Sequence, residues 1–86
     1  MWYVYILLCS DDSLYTGSTN NLEKRFESHK SGKGGRYTRS HKPVKLIYSK
    51  EFDTKSIALK REAEIKHWSR EKKIKELRLM IKDLIL

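Results

Sequence analysis

A glutamate falls on a helix face that the sequence otherwise makes apolar. Glu62 shares a predicted helical stripe with Ala58, four residues before it, and with Ile65, three residues after it. Burying an unpaired carboxylate is costly unless a cation or hydrogen bonds compensate it. Two compensations are open. One is a salt bridge, to an arginine or to Lys66 at i+4, and the other is a divalent ion, since Mg²⁺ often takes one or two protein carboxylates and keeps its waters.

Arg25 and His29 lie four residues apart on an earlier predicted helix, one step around from the apolar pair Leu22 and Phe26. Both are therefore expected where the core meets solvent, which is a typical place for site residues. An ordinary boundary histidine is the alternative for His29. The three histidines and the single cysteine have no zinc-ligand spacing, which argues against a zinc site.

A glycine-rich segment between this helix and the last predicted strand concentrates positive charge. Its basic side chains and its aromatic ring are Lys33, Arg36, Tyr37, Arg39 and Lys42. Cations interleaved with a ring and flexible glycines suit phosphate contact and base stacking. The glycines lack the spacing of a phosphate-binding P-loop. A solvated basic surface is the alternative.

The composition has the same positive bias and limits the size of the protein. The 86 residues include 19 Lys+Arg and 11 Asp+Glu, a net charge of +8 that favours polyanions. With 38% hydrophobic residues, the chain supports one domain over residues 1–86 and excludes a multidomain enzyme. A single cysteine excludes an internal disulfide and favours the cytoplasm. The apolar start is too short to span a membrane and lacks the basic region of a signal peptide.

The residue pattern predicts an α/β domain of order β-β-α-β-α-α, in which one three-stranded antiparallel sheet is flanked by helices. Strands are predicted at 2–9, 14–18 and 44–52. Asn20, Asp53 or Thr54, and Ser69 are the predicted helix N-caps. The residues expected to face the core are Val44, Leu46 and Tyr48 on the third strand, Ile57, Ala58, Ile65 and Trp68 on the second helix, and Ile74, Leu77, Ile81 and Leu84 on a third helix that runs to the chain end.

Several short motifs occur together in a fixed order. Tyr3-Val4-Tyr5 is followed, ten residues after Tyr5, by Tyr15-Thr16-Gly17, and ten residues after Tyr15 by Arg25 in an Asn-Leu-Glu-Lys-Arg helix start. With a Gly-Gly-Arg-Tyr-Thr loop at 34–38 and an Arg-Glu pair in the helix segment 58–70, these motifs resemble the GIY-YIG nuclease family, in particular its short single-domain bacterial members. The resemblance covers residues 2–77.

The resemblance implies a metal-dependent endonuclease that hydrolyses DNA phosphodiester bonds, with repair or recombination as the pathway at family level. It implies that Glu62 holds one divalent ion, Mg²⁺ or Mn²⁺. Tyr5 and Tyr15 would flank the scissile phosphate, and one of them would help to activate water. Arg25 would orient or neutralise the phosphate, and His29 would support the site. The residues expected to contact nucleic acid are Gly17, Lys24, Lys33, Arg36, Tyr37, Arg39 and Lys42.

The implied site requires Tyr5 and Tyr15 on the same side of the first hairpin. In a regular antiparallel pair, directly opposed residues share a face. A two-residue turn at Asp11-Asp12 would place the two rings on opposite faces, whereas an odd loop or a bulge places them together. We therefore predict an odd loop or a bulge.

Two other functions are compatible with the residues. The chain could bind nucleic acid through its basic segment without cutting it, with DNA favoured over RNA as the partner. The apolar end of the chain, Met80 to Leu86, either completes the core or forms a surface for a protein partner. We expect a monomer or a weak homodimer, and no membrane association.

Overall fold

The structure, a computed structural model, describes residues 1–32 and 41–79. The strands are β1 (Trp2–Cys9), β2 (Leu14–Thr19) and β3 (Pro43–Phe52). The helices are α1 (Leu22–Lys30), α2 (Lys55–Lys66) and α3 (Arg70–Glu76). The three strands form one antiparallel sheet in the order β2-β1-β3. The predicted architecture and element order are confirmed.

Cys9 and Ser13 pair at the end of the first hairpin and close a three-residue loop of Ser10, Asp11 and Asp12. The Cys9 N–H donates to the Ser13 carbonyl at 2.9 Å, and the Asp12 N–H donates to the Cys9 carbonyl at 2.9 Å. The φ of Asp12 is 67°, in the left-handed region that short polar side chains tolerate. The loop is odd in length, as predicted.

This loop sets the register on which the site depends. Tyr5 lies opposite Gly17, and Leu7 lies opposite Tyr15. Because opposed residues share a face, Tyr5 and Tyr15 lie diagonally across the same face of the hairpin. The hairpin geometry that the site requires is confirmed.

Different helices cover the two faces of the sheet. On one face α2 packs against β1 and β2, and the buried cluster consists of Val4, Ile6, Leu8, Leu14, Ala58, Ile65 and Leu79. On the other face α1 inserts His29, which is fully buried, against Tyr5 and Tyr15. Because β2 is an edge strand, groups from α1 and α2 can approach each other around it.

Strand β3 is less regular than its sequence predicts. The pairing with β1 shifts register between Ile6 and Leu7, so that Tyr48 lies opposite Ile6 whereas Leu46 lies opposite Leu7. Leu46 and Tyr48 therefore face opposite sides of the sheet, and Val44 is exposed. The prediction that these three side chains share a face was wrong, because an extra residue in one strand reverses the alternation beyond it.

The helix caps agree with the sequence at two of three positions. Thr54 and Ser69 cap α2 and α3 with their side-chain hydroxyls. The cap of α1 is Asn21, not Asn20, and its side-chain oxygen accepts from the Lys24 N–H at 3.0 Å. Two adjacent asparagines offer the same chemistry, so only the backbone conformation selects between them.

The helix faces follow the predicted pattern only in part. Ala58 and Ile65 are fully buried, but Ile57, predicted to face inward, is exposed in the first turn of α2. Helix α3 ends at Glu76, and Arg78 has a φ of 52°, which stops the predicted continuation. The chain end at 80–86, with its proposed partner surface, lies outside the described residues. No helix within 1–32 or 41–79 is long and apolar enough to cross a membrane.

Candidate active site

A buried tyrosine and a buried histidine form the base of the site. Tyr5 is 2% exposed, and its hydroxyl oxygen lies 2.9 Å from Nε2 of His29. Burial raises the pKa of Tyr5 to about 12. Burial, together with the positive charge of Arg25, lowers the pKa of His29 to about 4. At neutral pH the imidazole is therefore uncharged, and the Tyr5 hydroxyl and Nε2 of the neutral ring share a hydrogen bond.

The low pKa of His29 predicts a loss of stability in mild acid. The pKa of histidine in the unfolded chain is about 6.5, so below that pH the unfolded state binds more protons than the folded state. The free energy of unfolding should fall as the pH drops from about 6.5 towards 4, by up to about 1.4 kcal/mol per pH unit from this group. Above that window, His29 adds no pH dependence. Urea unfolding at pH 7.5, 6 and 5 measures the slope.

NMR of the His29 ring provides a check that needs no variant. We expect its ring carbon shifts to stay constant from pH 8 to 5.5. A midpoint near pH 6.5 for this ring would contradict the buried, neutral imidazole.

Tyr15 and Arg25 lie beside this base, nearer to solvent. The Tyr15 ring centre is 6.4 Å from that of Tyr5 and 5.0 Å from that of His29. Arg25, one turn before His29 on α1, hydrogen-bonds with Tyr5 and with Tyr15. The hydrogen bond with Tyr5 is the main reason why the pKa of the guanidinium is raised. A fixed positive charge thus lies against two phenols, as binding of a phosphate between them would require.

Gly17 leaves the space that Tyr5 occupies. A Cβ at Gly17 would lie 2.4 Å from Oη and 2.6 Å from Cζ of Tyr5, and 3.1 Å from Cε2 of Tyr15. Real Cβ atoms do not approach other atoms so closely, so any side chain here must push the Tyr5 ring aside. The glycine therefore has a packing role, and its contact with substrate stays a prediction.

Gly17→Ala should destabilise the fold by about 1–3 kcal/mol, since the displaced Tyr5 ring is buried and packed. Urea unfolding of the variant measures the loss. The same substitution in a Tyr5→Phe background should cost less, because the nearest atom, Oη, is then absent. An equal cost in both backgrounds would contradict the contact with Tyr5.

Glu62 reaches the site from the other helix, around the edge strand. The Ser18 hydroxyl on β2 donates to Oε1 of Glu62 at 2.5 Å, and Nζ of Lys66 lies 2.8 Å from Oε2. The Glu62 side chain is only 15% exposed. Lys66 also lies 6.0 Å from the ring centre of Tyr15. Of the compensations that the sequence left open, the ion pair with Lys66 is present.

The donors around Glu62 suit a hard divalent ion that takes few protein ligands. A single carboxylate with a neighbouring hydroxyl matches the way Mg²⁺ is held together with water and substrate phosphate. Within residues 1–32 and 41–79, no group of three or more His, Cys, Asp and Glu side chains could hold a metal. That part of the chain therefore lacks the ligand set of a structural zinc site. Glu62 is the residue that would hold the ion.

The remaining predicted contacts are distributed around this cluster. Lys24 borders an open cavity of about 160 Å³ that Arg25 also lines. Lys42 lies at the hairpin loop, where its carbonyl accepts from the Ser10 N–H at 2.8 Å. The other predicted contacts, Lys33, Arg36, Tyr37 and Arg39, lie outside the described residues. Ser18 and the position of Lys66 over Tyr15 were not predicted, because both depend on how α2 approaches β2.

Comparison with known proteins defines the class. The profile of the GIY-YIG catalytic domain matches residues 1–75, and the chain therefore belongs to the GIY-YIG family, a nuclease-type domain. Among its relatives, a UPF0213 protein of Staphylococcus saprophyticus is 55% identical over 73 residues, 85% of this chain and 89% of the relative. One from Syntrophus aciditrophicus is 56% identical over 73 residues, 84% of each chain.

Two solution NMR structures resemble the fold. The UPF0213 protein BH0048 from Bacillus halodurans is 44% identical, with a TM-score of 0.58, over 91% of this chain and 84% of that chain. The protein EF2693 from E. faecalis is 39% identical, with a TM-score of 0.61, over 88% of this chain and 81% of that chain. Both agree with the three-stranded sheet and its flanking helices.

Proposed function

We propose that the chain is an endonuclease that uses Mg²⁺ or Mn²⁺ to hydrolyse DNA phosphodiester bonds, acting in the cytoplasm in repair or recombination. The observation that supports this most is the approach of α1 and α2 to the same edge strand. Arg25 bonds with both phenols, while Glu62 is held by Ser18 on β2 and by Lys66 beside Tyr15. A cation, a phenol and a carboxylate at one edge are the groups that phosphodiester hydrolysis uses.

Each group has a separate task in this proposal. Arg25 binds the phosphoryl oxygens and stabilises the negative charge that develops on them. Tyr15, the more exposed phenol, hydrogen-bonds with the attacking water and orients it. A divalent ion on Glu62, when bound, supplies Lewis-acid stabilisation of the phosphoryl and leaving oxygens.

Tyr5 and His29 are buried below Tyr15 and Arg25 and position the groups that meet substrate. The Tyr5 hydroxyl is buried and its pKa is raised to about 12, so it stays protonated at neutral pH and is not available to accept a proton from water. Its hydrogen bond to neutral His29 fixes the ring, and the ring in turn holds Arg25. We therefore place Tyr5 and His29 as positioning residues and Tyr15 as the phenol that meets substrate.

The test is a cleavage assay with labelled single-stranded, duplex and branched DNA, each with Mg²⁺, with Mn²⁺ or with EDTA. We expect cleavage of at least one substrate with metal and none with EDTA. Salt-sensitive binding without cleavage under any condition would contradict the enzyme. It would instead support a non-catalytic nucleic-acid-binding module, which the net charge of +8 also favours.

A further inference from the structure

Lys66 occupies a position between the carboxylate and the phenol of the site. Its Nζ lies 2.8 Å from Oε2 of Glu62 and 6.0 Å from the ring centre of Tyr15. The pair is unequal in exposure, since the Glu62 side chain is 15% exposed and that of Lys66 is 49% exposed. The carboxylate is therefore fixed, whereas the ammonium can leave it for solvent or for another anion.

Both oxygens of Glu62 are engaged. Ser18 is a neutral donor on Oε1, and its hydroxyl can also accept or turn. Lys66 on Oε2 is a full positive charge, and a divalent cation on the same oxygen would repel it at contact distance. Binding of metal at Oε2 therefore favours displacement of the ammonium.

Other positive charges lie near Lys66, and they favour binding of an anion there once Lys66 has left Glu62. Lys73 on α3 is buried, and its pKa is lowered by burial and by the charge of Lys66. Once metal binds Glu62, Lys66 and Arg25 lie beside Tyr15 without that carboxylate as counterion, and Lys73 adds a further positive charge near Lys66. A phosphate at Tyr15 would meet this positive field.

We propose that Lys66 competes with the divalent ion for Glu62, and that metal binding transfers the ammonium from the carboxylate to a substrate phosphate beside Tyr15. This inference rests on the proposed function, since it concerns the same carboxylate. Metal and DNA binding then favour each other. Metal on Glu62 frees Lys66 to bind a phosphate, and a phosphate bound to Lys66 leaves Glu62 free to bind metal.

The first test measures Mn²⁺ affinity of the full chain without DNA, by calorimetry. Lys66→Met should bind Mn²⁺ about two- to fivefold more tightly than the native chain, the size typical of a partly exposed ion pair. Lys60→Met is the matched control, an exposed lysine on the same helix that removes the same net charge. It should change the affinity less than about twofold. Circular dichroism confirms that each variant is folded.

The outcomes separate the inference from the proposed function. If Lys66→Met binds no more tightly than Lys60→Met, while Glu62→Gln abolishes binding, the competition is excluded and the metal site stands. If neither the native chain nor Lys66→Met binds Mn²⁺, both proposals fail. Glu62-dependent binding that is tightened only by Lys66→Met supports the competition.

The second test measures binding of a labelled duplex oligonucleotide against salt, in EDTA and in Ca²⁺. In Ca²⁺, Lys66→Met should lower the slope of log affinity against log salt by about one, because one phosphate contact is lost. In EDTA, where Lys66 pairs with Glu62, the slope should match that of the native chain. The same slope for both proteins in Ca²⁺ would overturn the transfer to phosphate.

Discussion

Glu62→Gln should lower metal-dependent cleavage by about 10²- to 10³-fold while leaving the fold intact. The amide has the size of the carboxylate and can still accept from the Ser18 hydroxyl. It loses the negative charge that a divalent ion requires and that pairs with Lys66. Rates on one labelled substrate, with urea unfolding alongside, measure both effects.

The matched control is Glu64→Gln on the same helix. Glu64 is exposed and pairs with Arg61, so this variant removes the same charge without touching the site. We expect a change in rate below about threefold, consistent with a screened surface charge. If both variants were equally slow, the loss of rate would reflect the change in net charge and its effect on DNA binding. That result would contradict the role of Glu62 as the metal-binding carboxylate.

Tyr15→Phe should lower the cleavage rate by about 10²- to 10³-fold, the range for loss of one positioned hydrogen bond in an active site. The ring and its contact with His29 are kept, and only the hydroxyl is removed. Tyr48→Phe is the control, because it deletes a half-buried strand phenol that packs against the opposite core. Its rate should equal that of the native chain.

Tyr5→Phe separates the two phenols of the site. We expect a loss of stability of about 1–2 kcal/mol, since the buried Nε2 of His29 loses its partner. The rate should fall much less than in Tyr15→Phe. A larger fall in rate for Tyr5→Phe than for Tyr15→Phe would reverse the assignment and make the buried phenol the one that meets water.

The hairpin shows how far sequence reasoning reaches in this chain. Strand periodicity placed β1 and β2, and the need to bring Tyr5 and Tyr15 to one face required an odd loop, which the register confirms. The i, i+4 spacing also predicted that Arg25 and His29 share one side of α1, but both were expected at the boundary with solvent, and His29 is fully buried instead. The strands and the helix spacing are local, so residue type and spacing determine them. The odd loop followed instead from the site that the family resemblance implies.

Features that depend on tertiary approach could not be predicted in the same way. The register shift beside Ile6 has no residue signature in β3, and it moves Leu46 to the face opposite Tyr48. The bond from Ser18 to Glu62 spans 44 positions and depends on how α2 packs against β2. The i+4 spacing of Lys66 from Glu62 suggested the ion pair between them as one alternative, but no local pattern predicts that the Lys66 ammonium lies near Tyr15.

In the proposed mechanism, Glu62 holds a divalent ion at the edge where Tyr15 and Arg25 lie. Titration of the isotope-labelled chain with Mn²⁺, followed by paramagnetic broadening in NMR spectra, tests it most directly. We expect broadening to begin at the amides of Ser18 and Glu62, to spread to Tyr15, and to disappear in Glu62→Gln. Broadening centred elsewhere, or an equal pattern in Glu62→Gln, would contradict it.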